Sequence, residues 1–180
     1  GIRDTSVTGV QTCALPIYGG AGSDIYIISA AAQLPTNVLN PALAESITDS
    51  GTTGTDEIRY TSTTAGLFTL SSNISGIERI VINPTSGLTA IGVDASQVIN
   101  VSQAGFTIIG NGGINALTGS RYNDVLTGGG GADRFNITAG TDSVTDLGTG
   151  GADSIVVSSG ATANATVAAA WTATNVTSNN

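Results

Sequence analysis

The chain lacks several residue types on which enzymes commonly depend. Its 180 residues include no His and no Met, and all 5 basic residues are Arg. Without His or Lys the chain has neither the usual general base and zinc ligand nor an amine for Schiff-base chemistry. It also lacks a G-x-S-x-G nucleophile elbow and a phosphate-binding loop ending in Lys. We therefore expect no catalytic residues and a protein that is not an enzyme.

Charged and aromatic residues are scarce too. Asp and Glu number 13, which gives a net charge of −8, with 10% of residues charged and 4% aromatic. A chain so poor in basic residues does not bind nucleic acid through its phosphates. It also has no apolar run of about 18 residues that would span a membrane. With so few aromatic residues a compact core would be thin, whereas a solenoid needs only small inward side chains.

The single cysteine, Cys13, lies in an N-terminal segment of unusual origin. Residues 1–4 and 7–17 read GIRD and VTGVQTCALPI, and together they look like the in-frame translation of a sequencing adapter. Segments of this kind are excluded from fold reasoning. We therefore expect residues 1–17 to be non-native, with a native N-terminal strand as the alternative. Because the chain has no Met, we also expect residues 18–180 to be an internal or C-terminal piece of a longer protein.

Glycine, in contrast, is abundant, and much of it lies in three consecutive nonapeptides. They read GNGGINALT (110–118), GSRYNDVLT (119–127) and GGGGADRFN (128–136), with no gap between them. Each begins with Gly, has Asn or Asp at its sixth position and has Leu or Phe at its eighth. This pattern predicts a six-residue turn that can bind Ca²⁺, followed by a three-residue strand with one inward side chain.

Further copies occur elsewhere in the chain, of which GGAGSDIYI (19–27) matches the pattern fully and the others in part. ITAGTDSVT (137–145) continues the frame as a worn fourth repeat, and GTGGADSIV (148–156) follows two residues out of register. GGAGSDIYI (19–27) and GTTGTDEIR (51–59) are isolated copies. Since Gly and Asp also favour ordinary β-turns, a β protein with Gly- and Asp-rich turns but no metal is the alternative interpretation.

The tandem pattern resembles the RTX, or haemolysin-type, calcium-binding repeats. The segments before the repeats, with GTDEIRY, GIERIVI and TIIGN in that order, are similar to the sequence that often precedes such repeats. The resemblance therefore covers residues 18–157. It implies a right-handed parallel β-roll with two repeats per coil and a Ca²⁺ ion between each turn and the turn two repeats later.

The resemblance also implies a set of ligands. Ca²⁺ takes about 6–8 oxygen ligands, and Gly-rich turns can direct their carbonyl groups towards an ion because Gly tolerates positive φ. Asn115 and Asp133 would then share one ion, and Asp124 and Asp142 another. The other expected ligands are Asp24 and Asp153, together with the turn glycines Gly110, Gly112, Gly119, Gly128 and Gly130.

Some positions depart from the pattern. Asn115 carries no charge, so we expect its ion to bind more weakly. Tyr122 stands at a fourth position normally held by Gly, where a bulky residue is awkward if φ is positive. The isolated copies at 19–27 and 51–59 have no partner turn eighteen residues away, which leaves open whether they hold an ion.

The chain is predicted to be all-β, apart from one short helix near residues 41–47, where Asn40 and Pro41 form a start signal. Residues 18–109 should form a β-rich, solenoid-like region and residues 110–157 the β-roll. Residues 158–180 are a tail that could begin a C-terminal secretion region.

We expect a calcium-binding segment of a secreted bacterial protein, which folds on binding Ca²⁺ outside the cell. The resemblance implies the type I secretion machinery as a partner. The absence of Cys from 18–180 fits an extracellular protein that is stabilised by Ca²⁺ instead of disulfides. Two alternatives remain open. One is a surface-layer or adhesin fragment that self-associates, and the other is the C-terminal module of a secreted hydrolase whose catalytic domain is missing.

Overall fold

A computed structural model describes residues 17–28, 37–38, 47–70, 72, 74–82, 89–99 and 104–169 of the chain. All regular structure in these ranges is β-strand, and the pairings between strands are parallel. The strands are β1 (Ile17–Tyr18), β2 (Ile25–Ile28), β3 (Asn37–Val38), β4 (Ile47–Thr48), β5 (Glu57–Tyr60), β6 (Gly66–Thr69), β7 (Ile74–Ser75), β8 (Arg79–Ile82), β9 (Ile91–Asp94), β10 (Thr107–Ile109), β11 (Ala116–Thr118), β12 (Val125–Thr127), β13 (Arg134–Ile137), β14 (Thr141–Leu147), β15 (Ser154–Val157) and β16 (Thr162–Val167).

These strands form three parallel sheets that the chain visits in turn. The first sheet has the order β1-β4-β7, the second β2-β5-β8-β10-β12-β14-β16 and the third β3-β6-β9-β11-β13-β15. From β1 to β9 each coil adds one strand to every sheet, and from β10 onwards the described chain alternates between the second and third sheets. The protein is therefore a parallel β-solenoid whose coils change from three strands to two.

In the two-strand coils, one coil equals two nonapeptides. Thr107 of β10 lies beside Val125 of β12, which lies beside Ser143 of β14. Equivalent residues of these strands are therefore 18 positions apart, as in the contact between Asp124 and Asp142. The last coils are longer, with 20 residues between paired positions of β13 and β15 and 20 or 21 between those of β14 and β16. The expected parallel β-roll over the nonapeptides is confirmed. In the three-strand coils the spacing is longer and less regular, because each coil also forms a strand of the first sheet.

Inward side chains fill the space between the sheets. In a three-residue strand only the middle side chain points inward, and in the nonapeptides this is the eighth position. Leu117, Leu126 and Phe135 are all buried at 0% exposure, as the pattern predicted. The eighth position is also buried in the other copies, at Tyr26, Ile58, Val144 and Ile155.

The ends of the predicted regions are only partly described. Residues 1–16 lie outside the described residues, and Ile17 belongs to β1. Residues 41–46 of the expected helix also lie outside them, whereas Ile47 is not helical, because with Thr48 it forms β4 and pairs with β1 and β7. Part of the expected tail, 162–167, is strand β16. The described residues contain no helix long and apolar enough to cross a membrane.

Candidate metal sites

The sixth-position side chains line up where the turns of successive coils stack. The backbone N–H of Asp124 donates to Asp142 Oδ1 at 2.9 Å, and that of Asn115 donates to Asp133 Oδ1 at 2.8 Å. In the same way, the N–H of Asp133 donates to Asp153 Oδ1 at 2.8 Å. Each carboxylate therefore accepts a hydrogen bond from the sixth residue one coil earlier. The structure brings together both pairs that the repeats predicted.

The second oxygen of these carboxylates is satisfied in some turns and not in others. Asp124 Oδ2 accepts from the Ser120 N–H at 2.6 Å. Asp133 Oδ2 and Asp142 Oδ2 have no hydrogen-bond donor, although the two residues are only 2% and 0% exposed. A buried carboxylate oxygen without a donor is costly. A bound cation is a partner that would satisfy it.

The first glycine of each nonapeptide leaves room for these oxygens. A Cβ added to Gly119 would lie 2.7 Å from Asp124 Oδ2 and 2.8 Å from Asp142 Oδ2, so two carboxylates converge on this one point. A Cβ on Gly128 would lie 2.1 Å from Asp133 Oδ2. A side chain at the first position would therefore collide with the oxygens of the sixth.

The remaining predicted glycines stack backbone on backbone. A Cβ on Gly110 would collide with the carbonyl oxygen of Gly128 and with Asn115 Oδ1, and one on Gly130 would lie 3.3 Å from the carbonyl oxygen of Gly112. The N–H of Gly130 also donates to the carbonyl oxygen of Asn111 at 3.0 Å. Close stacking of this kind brings main-chain carbonyl groups of successive turns together, and at Gly110 it brings one beside the sixth-position side chain.

Burial makes the sixth-position carboxylates of the tandem turns hard to ionise. It raises the pKa of Asp133 to about 6 and that of Asp142 to about 7, and it also raises the pKa of Asp124. Loss of hydration is the largest cause in each case. The charges of Asp153 and Asp146 add to it at Asp133. Because a nearby cation favours the ionised form of a carboxylate, binding of a cation at these turns would release protons.

Asn115 forms contacts that an Asp could not form. Its Nδ2 donates to the carbonyl oxygen of Ile91 at 2.8 Å and to Asn111 Oδ1 at 3.1 Å. Its Oδ1 accepts from the Asn111 N–H at 2.9 Å. Where the other sixth-position side chains accept a hydrogen bond from the preceding coil, Asn115 donates one. Its hydrogen bond to Ile91 joins the first tandem turn to β9.

A separate acidic group lies in the three-strand coils. Carboxylate oxygens of Asp24, Asp49 and Asp56 all lie within 4.8 Å of one another, which is close enough for one metal ion. Asp56 and Asp49 are buried at 3% and 7% exposure. Among the described residues, this is the one group of three or more acidic side chains whose oxygens lie within 4.8 Å of one another. The chemistry of the donors, oxygen alone, suits a hard cation.

The two isolated repeats form this acidic group by stacking on each other. The N–H of Asp24 donates to Asp56 Oδ1 at 2.7 Å across 32 residues, which is the same contact that links the tandem turns. The third member, Asp49, follows β4, and its Oδ2 accepts from the Tyr26 hydroxyl at 2.7 Å. The isolated copies therefore do have partner turns, at the spacing of a three-strand coil.

The sequence pattern missed Asp49 because this residue belongs to no repeat. The preceding strand, Ile47–Thr48, has only two residues and shows no periodicity that would place it in a sheet. A weak signal was available, since Asp49-Ser50-Gly51 is a typical turn sequence. Asp24, by contrast, was predicted as a ligand from its repeat and does lie in the acidic group.

Comparisons of the chain with protein families, with curated proteins and with solved structures find no match. Three features of the turns are those of a cation site. They are the paired sixth-position side chains, the two buried oxygens without donors, and the three converging carboxylates of the acidic group.

Proposed function

We propose that this chain is a Ca²⁺-binding β-solenoid of the RTX type, in which Ca²⁺ drives the two-strand coils to fold. The observation that carries the proposal is the pair of buried oxygens without donors, Asp133 Oδ2 and Asp142 Oδ2, inside stacked glycine turns. Ca²⁺ is the cation that fits donor sets made of carboxylate and carbonyl oxygen alone. The chain itself has no catalytic role.

Asp124 and Asp142 are the residues that would hold an ion in the tandem repeats, since their Oδ2 atoms meet beside Gly119. Asp24, Asp49 and Asp56 would hold another in the three-strand coils. In both places a bound cation would supply the positive charge that these buried carboxylates lack. The protein's own contribution is to hold the oxygens in place through the backbone N–H groups of the neighbouring coil.

Folding and ion binding are coupled because the two-strand coils have little else to stabilise them. Each short strand buries one eighth-position side chain, and the turns are rich in Gly, which loses much conformational entropy on folding. The free energy of metal binding then becomes free energy of folding. Extracellular calcium modules have dissociation constants of about 10⁻⁴–10⁻³ M. Such a site would be empty in the cytoplasm and filled outside the cell.

We further propose that the protein is bacterial and secreted, with the type I machinery as its export partner. Three features support this: the resemblance of residues 18–157 to RTX repeats, the lack of Cys in residues 18–180, and a switch that would operate at extracellular Ca²⁺. A chain that stays unfolded until it binds Ca²⁺ would be able to pass through the export machinery as an extended polypeptide.

The test is a Ca²⁺ titration of the full chain followed by far-UV circular dichroism. Wild type should gain β structure at submillimolar to millimolar Ca²⁺. Asp142→Asn should move the midpoint upward at least about tenfold, equivalent to about 1.4 kcal/mol, because it removes one unpaired oxygen. Asp94→Asn, the same chemical change on β9 outside these turns, is the matched control and should match wild type. A spectrum that is equally rich in β structure in chelator and in Ca²⁺ would refute the coupling.

A second candidate, a self-associating surface-layer or adhesin fragment, is favoured by the ends of the sheets. β16 and β15 are the last strands of the second and third sheets in the described chain, and Val167 on β16 is 54% exposed. Parallel strands with a free edge offer N–H and C=O groups for pairing with another chain. Light scattering at saturating Ca²⁺ tests this function. Ca²⁺-dependent oligomers would support it, and a monomer would count against it.

A further inference from the structure

Two residues interrupt the phase of the repeats between the fourth and fifth copies. Asp146 and Leu147 lie between 137–145 and 148–156. The pairing of β14 with β16 shifts at this point, between Val144 and Leu147. Leu147 enters the core at 1% exposure, whereas Asp146 is only partly buried. The insertion is therefore accommodated in the coil, and it adds one carboxylate that the repeat pattern does not contain.

The Asp146 carboxylate binds the turn of the third nonapeptide. Its Oδ1 accepts from the N–H of Gly128 at 3.0 Å, and its Oδ2 accepts from that of Gly129 at 2.7 Å. In the two preceding nonapeptides the first N–H, of Gly110 or Gly119, donates to a main-chain carbonyl oxygen instead. A full negative charge thus replaces a carbonyl group at this turn alone among the three. Each carboxylate oxygen has two lone pairs, so both oxygens of Asp146 keep acceptor capacity.

The unpaired oxygen of Asp133 reaches the same glycine. A Cβ on Gly128 would lie 2.1 Å from Asp133 Oδ2, and this oxygen has no donor although Asp133 is 2% exposed. Both carboxylates therefore lie against Gly128, Asp146 at its N–H and Asp133 at its Cα, and the Asp133 carboxylate has an unsatisfied buried oxygen. Asn115 does not satisfy that oxygen, because its side-chain amide is bonded to Ile91 and Asn111.

We propose that Asp133 and Asp146 bind a divalent cation beside Gly128, in a site created by the two-residue insertion. Asp133 contributes the oxygen that lacks a donor, and Asp146 contributes a second charge held in position by two main-chain N–H groups. Asp153, whose Oδ1 accepts from the Asp133 N–H, lies on the next coil and adds to the negative charge. Oxygen donors alone select a hard cation. The identity of that cation as Ca²⁺ rests on the proposed function.

Calorimetric titration of the full chain with Ca²⁺ tests the site. Asp146→Asn should bind one ion fewer than wild type, or bind that ion at least tenfold more weakly. Asp146→Glu, which keeps the charge, should keep the ion. Asp94→Asn again controls for the loss of one negative charge and should bind as wild type does. Circular dichroism at saturating Ca²⁺ should show that Asp146→Asn is folded through its remaining sites.

The outcomes separate this site from the broader function. A wild-type chain that binds Ca²⁺, with Asp146→Asn binding the same number of ions at unchanged affinity, overturns the Asp133–Asp146 site and leaves the proposed function standing. Loss of the ion in both Asp146→Asn and Asp146→Glu also overturns it, because charge would then not be what Asp146 supplies. A wild-type chain that binds no Ca²⁺ overturns both proposals.

Discussion

At the sixth position of a turn, the choice between Asp and Asn depends on what the preceding coil offers. Asp142 and Asp133 face main-chain N–H groups and accept from them. Asn115 faces the carbonyl oxygen of Ile91 and donates to it. An amide and a carboxylate have nearly the same shape, but only the amide can donate. The departure of Asn115 from the repeat pattern therefore has a structural reason.

Restoring the repeat pattern with Asn115→Asp should destabilise the protein. The new carboxylate would be fully buried against a carbonyl oxygen, and the loss of a buried hydrogen bond should cost about 2 kcal/mol. Urea unfolding at fixed Ca²⁺ measures this, with Asp124→Asn as the mirror-image variant that should instead lose Ca²⁺ affinity. A gain in both stability and Ca²⁺ affinity in Asn115→Asp would contradict this account of the position.

The raised pKa values predict that pH has opposite effects on the stability of the metal-free coils and on their affinity for Ca²⁺. Burial raises the pKa of Asp142 from 3.8 to about 7 in the folded chain, so the metal-free fold binds a proton that the unfolded chain releases. In chelator the stability of the two-strand coils should therefore increase as the pH falls from 7 towards 4, and should be lost as the pH rises through 7. Ca²⁺ affinity should change the other way, because protons compete with the ion. Far-UV circular dichroism in chelator and Ca²⁺ titrations, each at pH 5 and pH 8, check both; a folded fraction in chelator that rises with pH would contradict the prediction.

Some candidate ligands were visible in the sequence and others were not, for reasons of spacing. The pairing of Asp124 with Asp142 follows from the period of two nonapeptides, which the coils keep up to the insertion at Asp146 and Leu147. Asp49 and Asp146 lie outside every repeat, so no period assigns them a position in the coil. Their importance depends on which backbone stacks beside them, and that is decided by the coil length as a whole.

At the level of elements, strands were easier to predict than coils. The inward eighth position marks the seven strands that belong to nonapeptide copies, β2, β5, β11, β12, β13, β14 and β15, and all seven of these positions are buried. The first sheet was not predicted, because strands such as Ile47–Thr48 and Ile74–Ser75 are two residues long. Without that sheet the isolated repeats appeared to lack partners. With it, Asp24 and Asp56 stack as the tandem turns do.

The acidic group of Asp24, Asp49 and Asp56 can be tested through the neighbouring tyrosine. Tb³⁺, which prefers the same oxygen ligands as Ca²⁺, luminesces when a nearby excited tyrosine transfers energy to it. Because the Tyr26 hydroxyl bonds to Asp49 at 2.7 Å, Tyr26→Phe should remove the part of the tyrosine-sensitised signal that Asp49→Asn also removes. Tyr122→Phe, in the turn of Asp124, is the control and should keep that Asp49-dependent part of the signal. An undiminished signal in Tyr26→Phe, or in Asp49→Asn, would show that no ion binds there.

On the scale of the whole molecule, the two kinds of coil differ in how they are stabilised. The three-strand coils bury large side chains, including Tyr60 stacked on Phe68 with ring centroids 4.4 Å apart. The two-strand coils bury little more than one side chain per short strand. Since the second and third sheets continue from one part to the other, the three-strand coils present strand edges, at β8 and β9, on which the two-strand coils can form.

Hydrogen–deuterium exchange of the full chain, in chelator and in saturating Ca²⁺, tests this central claim most directly. The main-chain N–H groups of Phe106, Asp124 and Asp133 donate to sixth-position carboxylates, so they should exchange rapidly in chelator and slowly with Ca²⁺. Those of the three-strand coils, such as the N–H of Thr61 bonded to Ile28, should be protected in both conditions. Equal protection of the two-strand coils with and without Ca²⁺ would contradict the account, since the turns would then hold the solenoid together without any ion.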